Sequence, residues 1–125
     1  MSPIDLKKLI TKKTKAIIPV HMLGVPAEMD EINKIAKKYK LKILEDNCEA
    51  VGGMYKNKYL GSIGDVGVAS YDFSKTITCG EGGMIFLTIK KYLNIAKNIM
   101  ITDMKITQNL KEEKTVVALL VLIIE

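Results

Sequence analysis

The stretch from Ala16 to Asp46 constrains the fold more than any other part of this chain. Ala16-Ile17-Ile18-Pro19-Val20-His21-Met22 is a compact apolar run, bounded by lysine before it and Gly24 after it. It reads as a buried strand in which Pro19 is an irregularity that costs one ladder hydrogen bond. Pro26 then opens a helix in which Met29, Ile32, Ile35, Ala36 and Tyr39 recur at spacings of three and four, one face for a core. Leu41 to Asp46 follows as a second short strand ending in two carboxylates, Glu45 and Asp46. Strand, helix and strand at this length make a βαβ unit with parallel strands and a right-handed crossover.

The flanking segments extend the same pattern. Ser2 with Pro3 and Asp5 signals a helix start, and Leu6, Leu9 and Ile10 give it a short apolar stripe. Met54 to Leu60 reads as a hairpin or loop excursion, Asp65 to Phe73 and Gly83 to Thr88 as strands, Ser74 to Gly82 as the loop between them, and Lys90 to Met100 as helix. The expected class is α/β, a layered domain in which ligands gather beyond the carboxyl ends of the strands. Tyr71 and Phe73 are expected in the core, with Met22, Met29 and Met54 as gap-fillers.

Composition narrows the function classes. At 125 residues with 48% hydrophobic and 26% charged, one soluble globular domain is the expectation. The longest apolar run, Val116 to Ile124, is far short of the ~20 residues of a membrane span, and Met1 to Lys8 lacks the apolar stretch of a signal peptide, so a cytoplasmic protein is expected. Cys48 and Cys79 are too few and too far apart for a disulfide scaffold and read as reduced thiols, and one histidine, His21, argues against zinc. The net charge of +5 comes with two lysine clusters, residues 7–15 and 37–42. No arginine accompanies them, so they read as solvated helix faces rather than a nucleic-acid surface.

Two strand ends carry the chemistry. One bears Glu45-Asp46-Asn47-Cys48-Glu49, the other Ser70-Tyr71-Asp72-Phe73-Ser74-Lys75 followed by glycines at 80, 82 and 83. A lysine for a Schiff base, an acid for a pyridine nitrogen and hydroxyls for a phosphate are the residue types that pyridoxal phosphate requires. An aspartate and a lysine alone are too common to establish it.

The strings themselves add more. The chain from Ile17 to Thr88 resembles the DegT/DnrJ/StrS family of pyridoxal-phosphate-dependent sugar aminotransferases in four segments, in order. These are I-I-P-V-H-M-L-G-V-P-A-E-M-D, I-L-E-D-N-C-E-A, G-S-I-G-D-V-G-V-A-S-Y-D-F-S-K and G-E-G-G-M-I. The resemblance implies a fold-type-I, aspartate-aminotransferase-like enzyme: a partial three-layer large domain with a mostly parallel sheet flanked by helices, homodimeric when intact. It implies that Lys75 forms the Schiff base and shuttles a proton, that Asp46 partners the pyridinium nitrogen, and that Ser70 contacts the phosphate. Glu49 departs from the glutamine common there and is expected to be protonated or to point elsewhere. Acidic residues at that place also occur in a related dehydratase branch whose lysine is replaced by histidine; the retained Lys75 favours transamination. His21 is expected to be structural, and the three glycines either to allow close passage of backbone or simply to form a tight turn.

By the same resemblance, the amino group passes from an amino acid such as glutamate to a keto-sugar, often nucleotide-linked, without nucleic acid or membrane as partner. The likeness opens inside the family's large domain, which implies that other phosphate-holding and ring-stacking groups lie outside this chain, leaving it weak or inert alone. Agreement fades near Lys97, so residues 1–97 are expected to be a partial cofactor-binding large domain. Codons for 98–105 and 120–124, read in one shifted frame, can spell strings that resemble the family's continuation, so 98–125 is expected to be a frameshifted, non-native tail. The alternative is a genuine hydrophobic element packed on the domain.

Overall fold

The computed structural model describes residues 1–87 and 116–118. Helix α1 spans Pro3–Leu9; the Ser2 hydroxyl accepts the Asp5 N–H at 3.4 Å, and proline at the first turn costs no hydrogen bond. Helix α2 spans Met29–Tyr39 and stops where Lys40 turns left-handed at φ 55°. Its inward residues Met29, Ile32, Ile35 and Ala36 pack with Leu6 of α1, Ala27, Ile17 and Ile43 into one buried cluster. Burying each large side chain there contributes about 1.5–3 kcal/mol, which holds both helices on the sheet.

Among the described residues, five strands form that sheet in the order β1-β2-β5-β6-β7: Ala16–Ile17, Lys42–Asp46, Val66–Ser70, Gly83–Leu87 and Val116–Ala118. The first three are mutually parallel, as the strand-helix-strand pattern requires. β6 returns antiparallel beside β5, and β7 antiparallel beside β6, so the α/β sheet is mixed at this edge. β3 (Met54–Tyr55) and β4 (Lys58–Tyr59) make a separate hairpin, whose turn residues Lys56 and Asn57 both have positive φ, matching strand twist. Crowding dictates the glycine at 67 most sharply: a Cβ there on β5 would lie 2.0 Å from the Gly61 carbonyl oxygen.

Several expectations are corrected. The run from Ala16 to Met22 is not buried throughout: Ile17, Pro19 and His21 face inward while Ile18, Val20 and Met22 are exposed. Pro19 has no N–H, so the regular ladder ends at Ile17, although the Pro19 carbonyl still accepts the Asp46 N–H at 2.9 Å and Val20 bridges Asp46 in parallel. Tyr39, at the last turn of α2, is exposed, and so is Met54 in the hairpin. Phe73 is 76% exposed rather than in the core, because β5 ends at Ser70 and a turn follows; Tyr71 is half-buried. The expected helix from Lys90 to Met100 and most of the apolar run after Ala118 lie outside the described residues.

Candidate functional site

β2 and β5 are neighbours, with Asp46 level with Val68, so their carboxyl ends open on the same side of the sheet. The end of β2 is anchored from below by Glu45. Its buried carboxylate accepts four N–H groups: His21 Nε2 at 3.0 Å and Gly61 at 2.9 Å on Oε2, with Ile63 at 2.6 Å and Gly64 on Oε1. His21 Nδ1 accepts the Ala27 N–H at 3.1 Å, which leaves the ring's proton on Nε2, facing Glu45. Burial pushes the Glu45 pKa up, but hydrogen bonds from His21 and the three amides outweigh it and hold the carboxyl below its usual range. His21 is therefore structural, as expected. Glu45 carries more of the site's architecture than its place beside Asp46 in the sequence suggested.

Asp46 is half-buried, and its Oδ1 accepts the Cys48 N–H at 3.1 Å. The Cys48 thiol is pushed up to about 11, chiefly by burial and then by hydrogen bonding to Asp46 and that residue's charge, with the Lys75 ammonium pulling the other way.

The turn after β5 brings Lys75 back towards Glu49. Asp72 organises it: its carboxylate accepts the Phe73 N–H at 2.6 Å and the Ser74 hydroxyl at 3.0 Å, and its carbonyl accepts the Lys75 N–H at 2.9 Å. Phe73 is turned outward by the same geometry. The result is an open cleft of about 770 Å³ lined by Cys48, Glu49, Ser70, Ser74, Lys75 and Leu23, among others. Lys75 Nζ lies 3.6 Å from Glu49 Oε1, so Glu49 points at the lysine and is its ion-pair partner. Ser70 Oγ accepts the Asp72 N–H at 3.3 Å, which leaves its own proton free to donate, whereas the Ser74 proton is spent on Asp72.

Lys75, Ser70 and Glu49 therefore line one cleft, while Asp46, at the end of β2 and hydrogen-bonded to the Cys48 N–H, is not among its described lining residues. Gly80, at φ 87° with open space around it, serves a tight turn; a Cβ on Gly83 would come 3.0 Å from the Ala69 carbonyl oxygen, a close passage. Asp72 was not singled out from the sequence. The signal was there, since an aspartate two residues before a serine is a common turn former.

The family model of the DegT/DnrJ/EryC1/StrS aminotransferases matches residues 1–117. The chain belongs to that family. Over 85 residues it is 48% identical to the GDP-perosamine synthase of Escherichia coli O157:H7, an alignment covering 68% of this chain and 23% of that protein. Among solved structures it is similar to PseC of Helicobacter pylori, an aminotransferase involved in the biosynthesis of pseudoaminic acid, with TM-score 0.78, 30% identity, 90% of this chain and 30% of that one. It is also similar to E coli GDP-4-keto-6-deoxy-D-mannose-3-dehydratase with bound hydrated PLP, with TM-score 0.63, 42% identity, 68% of this chain and 22% of that one. The chain spans less than a third of the length of each of these DegT/DnrJ/EryC1/StrS relatives. The cleft suits pyridoxal phosphate in its chemistry: a primary amine, a hydroxyl with its proton free, and a carboxylate at the end of the adjoining strand.

Proposed function

We propose that this chain is the lysine-bearing part of a pyridoxal-phosphate-dependent aminotransferase that moves an amino group from an amino acid such as glutamate to a keto-sugar, often nucleotide-linked. The observation that carries the reading is the convergence of Lys75, Ser70 and Glu49 on one cleft at the carboxyl ends of β2 and β5. When bound, pyridoxal phosphate supplies the aldehyde and the electron-accepting ring. Lys75 Nζ is the amine that would hold that aldehyde and would serve as the group that gives and takes the proton at the cleft. The Asp46 carboxylate, at the end of the adjoining strand β2, would hold the proton of the cofactor's ring nitrogen, its negative charge raising that nitrogen's proton affinity. Ser70 donates its free hydroxyl proton to the phosphate, and Glu49 holds the Lys75 ammonium whenever the amine is disengaged. Retention of Lys75 supports transamination over the dehydration named for the E coli relative.

The intact protein is proposed as a cytoplasmic homodimer, with exposed Leu23 and Ile77 at the cleft suited to cover by a partner. The described residues contain no helix long and apolar enough to cross a membrane. Residues 1–97 are proposed as part of the cofactor-binding large domain and 98–125 as out-of-frame, with β7 drawn from that tail. The gene's nucleotides test this division, which fails if they cannot encode the family-like strings in one shifted frame. The function itself is tested by titrating the chain with pyridoxal phosphate. With phosphate-holding and ring-stacking groups outside this chain, a weak imine absorbance band that Lys75→Ala abolishes is expected; no band, or one unchanged in Lys75→Ala, favours an inert product.

A further inference from the structure

We propose that the groove between residues 10–15 and the end of α2 is an oligophosphate-binding site, at the opposite end of the parallel strands from the Lys75 cleft. The two lysine clusters of the sequence meet here. The groove, about 570 Å³, is lined by Lys12 and Lys15 from the first cluster and by Lys40 from the second, with Thr11, Thr14 and Leu41 between them. The Lys42 N–H donates to the Lys15 carbonyl at 3.1 Å and the Leu41 N–H to the Ala36 carbonyl at 2.8 Å, so both walls are tied into the fold.

Charge and hydrogen-bonding capacity both point to an anion. No lining residue is acidic, and among the described residues Lys12, Lys15 and Lys40 have no carboxylate at ion-pair distance. Elsewhere on the same surface Lys8, Lys34 and Lys56 are paired with Asp5, Glu31 and Asp30. Lys12, Lys15 and Lys40 line one groove, and screening acts over about 8 Å at physiological salt, so ammoniums brought within that length by a shared ligand add their fields. The threonines contribute donors: Thr11 Oγ1 accepts the Lys13 N–H at 3.2 Å and Thr14 Oγ1 accepts the Thr11 N–H at 3.0 Å. The 3.5 Å contact between the two hydroxyls uses at most one proton, leaving at least one O–H to donate. Exposed ammoniums hold a single charge weakly in water, and without arginine there is no fork to select a planar anion. An anion with several charges in a row, touching all three lysines, is the ligand this arrangement favours.

The test is calorimetric titration of the full chain with inorganic tripolyphosphate at two salt concentrations. Saturable one-to-one binding that weakens with salt is expected, with sulfate at equal ionic strength failing to compete. The triple variant Lys12→Ala, Lys15→Ala, Lys40→Ala should lose at least tenfold in affinity. Lys7→Ala, Lys37→Ala, Lys58→Ala, which removes the same charge outside the groove, should stay within about twofold, as should Ser70→Ala with Lys75→Ala. Equal losses in the two lysine triples, loss in the Ser70 and Lys75 variant, or no saturation would each overturn the proposal. So would tighter binding of an acidic peptide or an oligonucleotide of matched charge.

Discussion

Glu45→Gln probes the support beneath the cleft with the smallest change of shape. Oε2 accepts from His21 and Gly61, Oε1 from Ile63 and Gly64. Whichever oxygen becomes an NH2 group, two N–H donors lose their acceptor and meet a donor instead. His21 cannot adapt by moving its proton, because its other nitrogen already accepts the Ala27 N–H. A buried donor left unsatisfied costs about 1–3 kcal/mol, so two cost roughly 2–6 kcal/mol, with relaxation of the 61–64 loop drawing the value to the lower half. Against a typical domain stability of about 5–15 kcal/mol this is a large fraction. Urea unfolding followed by circular dichroism measures it, and a loss below about 0.5 kcal/mol, the level of a neutral surface change, would refute the reasoning. The pH dependence has a definite sign. The folded Glu45 carboxyl is held below its ordinary value, so its contribution is present above the ordinary glutamate pKa of about 4.3 and is lost as acid titrates it below that. The wild-type acid limb should be steeper than that of Glu45→Gln by at most one proton, about 1.4 kcal/mol per pH unit.

Other outcomes follow from the packing and the site. Gly67→Ala places a methyl on the Gly61 carbonyl and should cost about 3 kcal/mol, read as a lowered thermal midpoint; an unchanged midpoint would mean that the strand and the Gly61 loop separate freely. With Cys48 pushed up to about 11, about a thousandth of it is thiolate at pH 8, so iodoacetamide should label exposed Cys79 well before Cys48; equal rates would contradict the burial of Cys48. Asp72→Ala removes the acceptor for Phe73 and Ser74 and should weaken pyridoxal phosphate binding several-fold without unfolding the chain, measured by absorbance titration and far-UV circular dichroism. Full binding strength in that variant would show that the turn does not position Lys75.

The legible part of the fold was the part written in periodicity. The three-and-four spacing of Met29, Ile32, Ile35 and Ala36 located α2, and the apolar runs on either side located parallel β1 and β2. What periodicity missed arises from single residues acting against it. Pro19 interrupts β1 for want of one N–H, and Asp72 folds the chain away from the strand direction so that Phe73 faces water. The antiparallel return of β6 has no signature in its own composition. At the site, the string likeness selected Lys75, Ser70 and Glu49, which share the cleft, and Asp46, which ends the adjoining strand. Glu45 escaped notice as a structural residue because its partners at 21 and 61–64 lie far from it along the chain, and only the folded backbone brings four donors to one carboxylate.

Borohydride reduction of the chain mixed with pyridoxal phosphate, followed by peptide mass spectrometry, shows which lysine takes the aldehyde. The chain has 19 basic residues, all of them lysine, so chance labelling has many targets. The account predicts the pyridoxyl group on Lys75, at substoichiometric cofactor and ahead of every exposed lysine. Label spread over surface lysines such as Lys12, Lys38 and Lys58, with Lys75 unmodified, would contradict it.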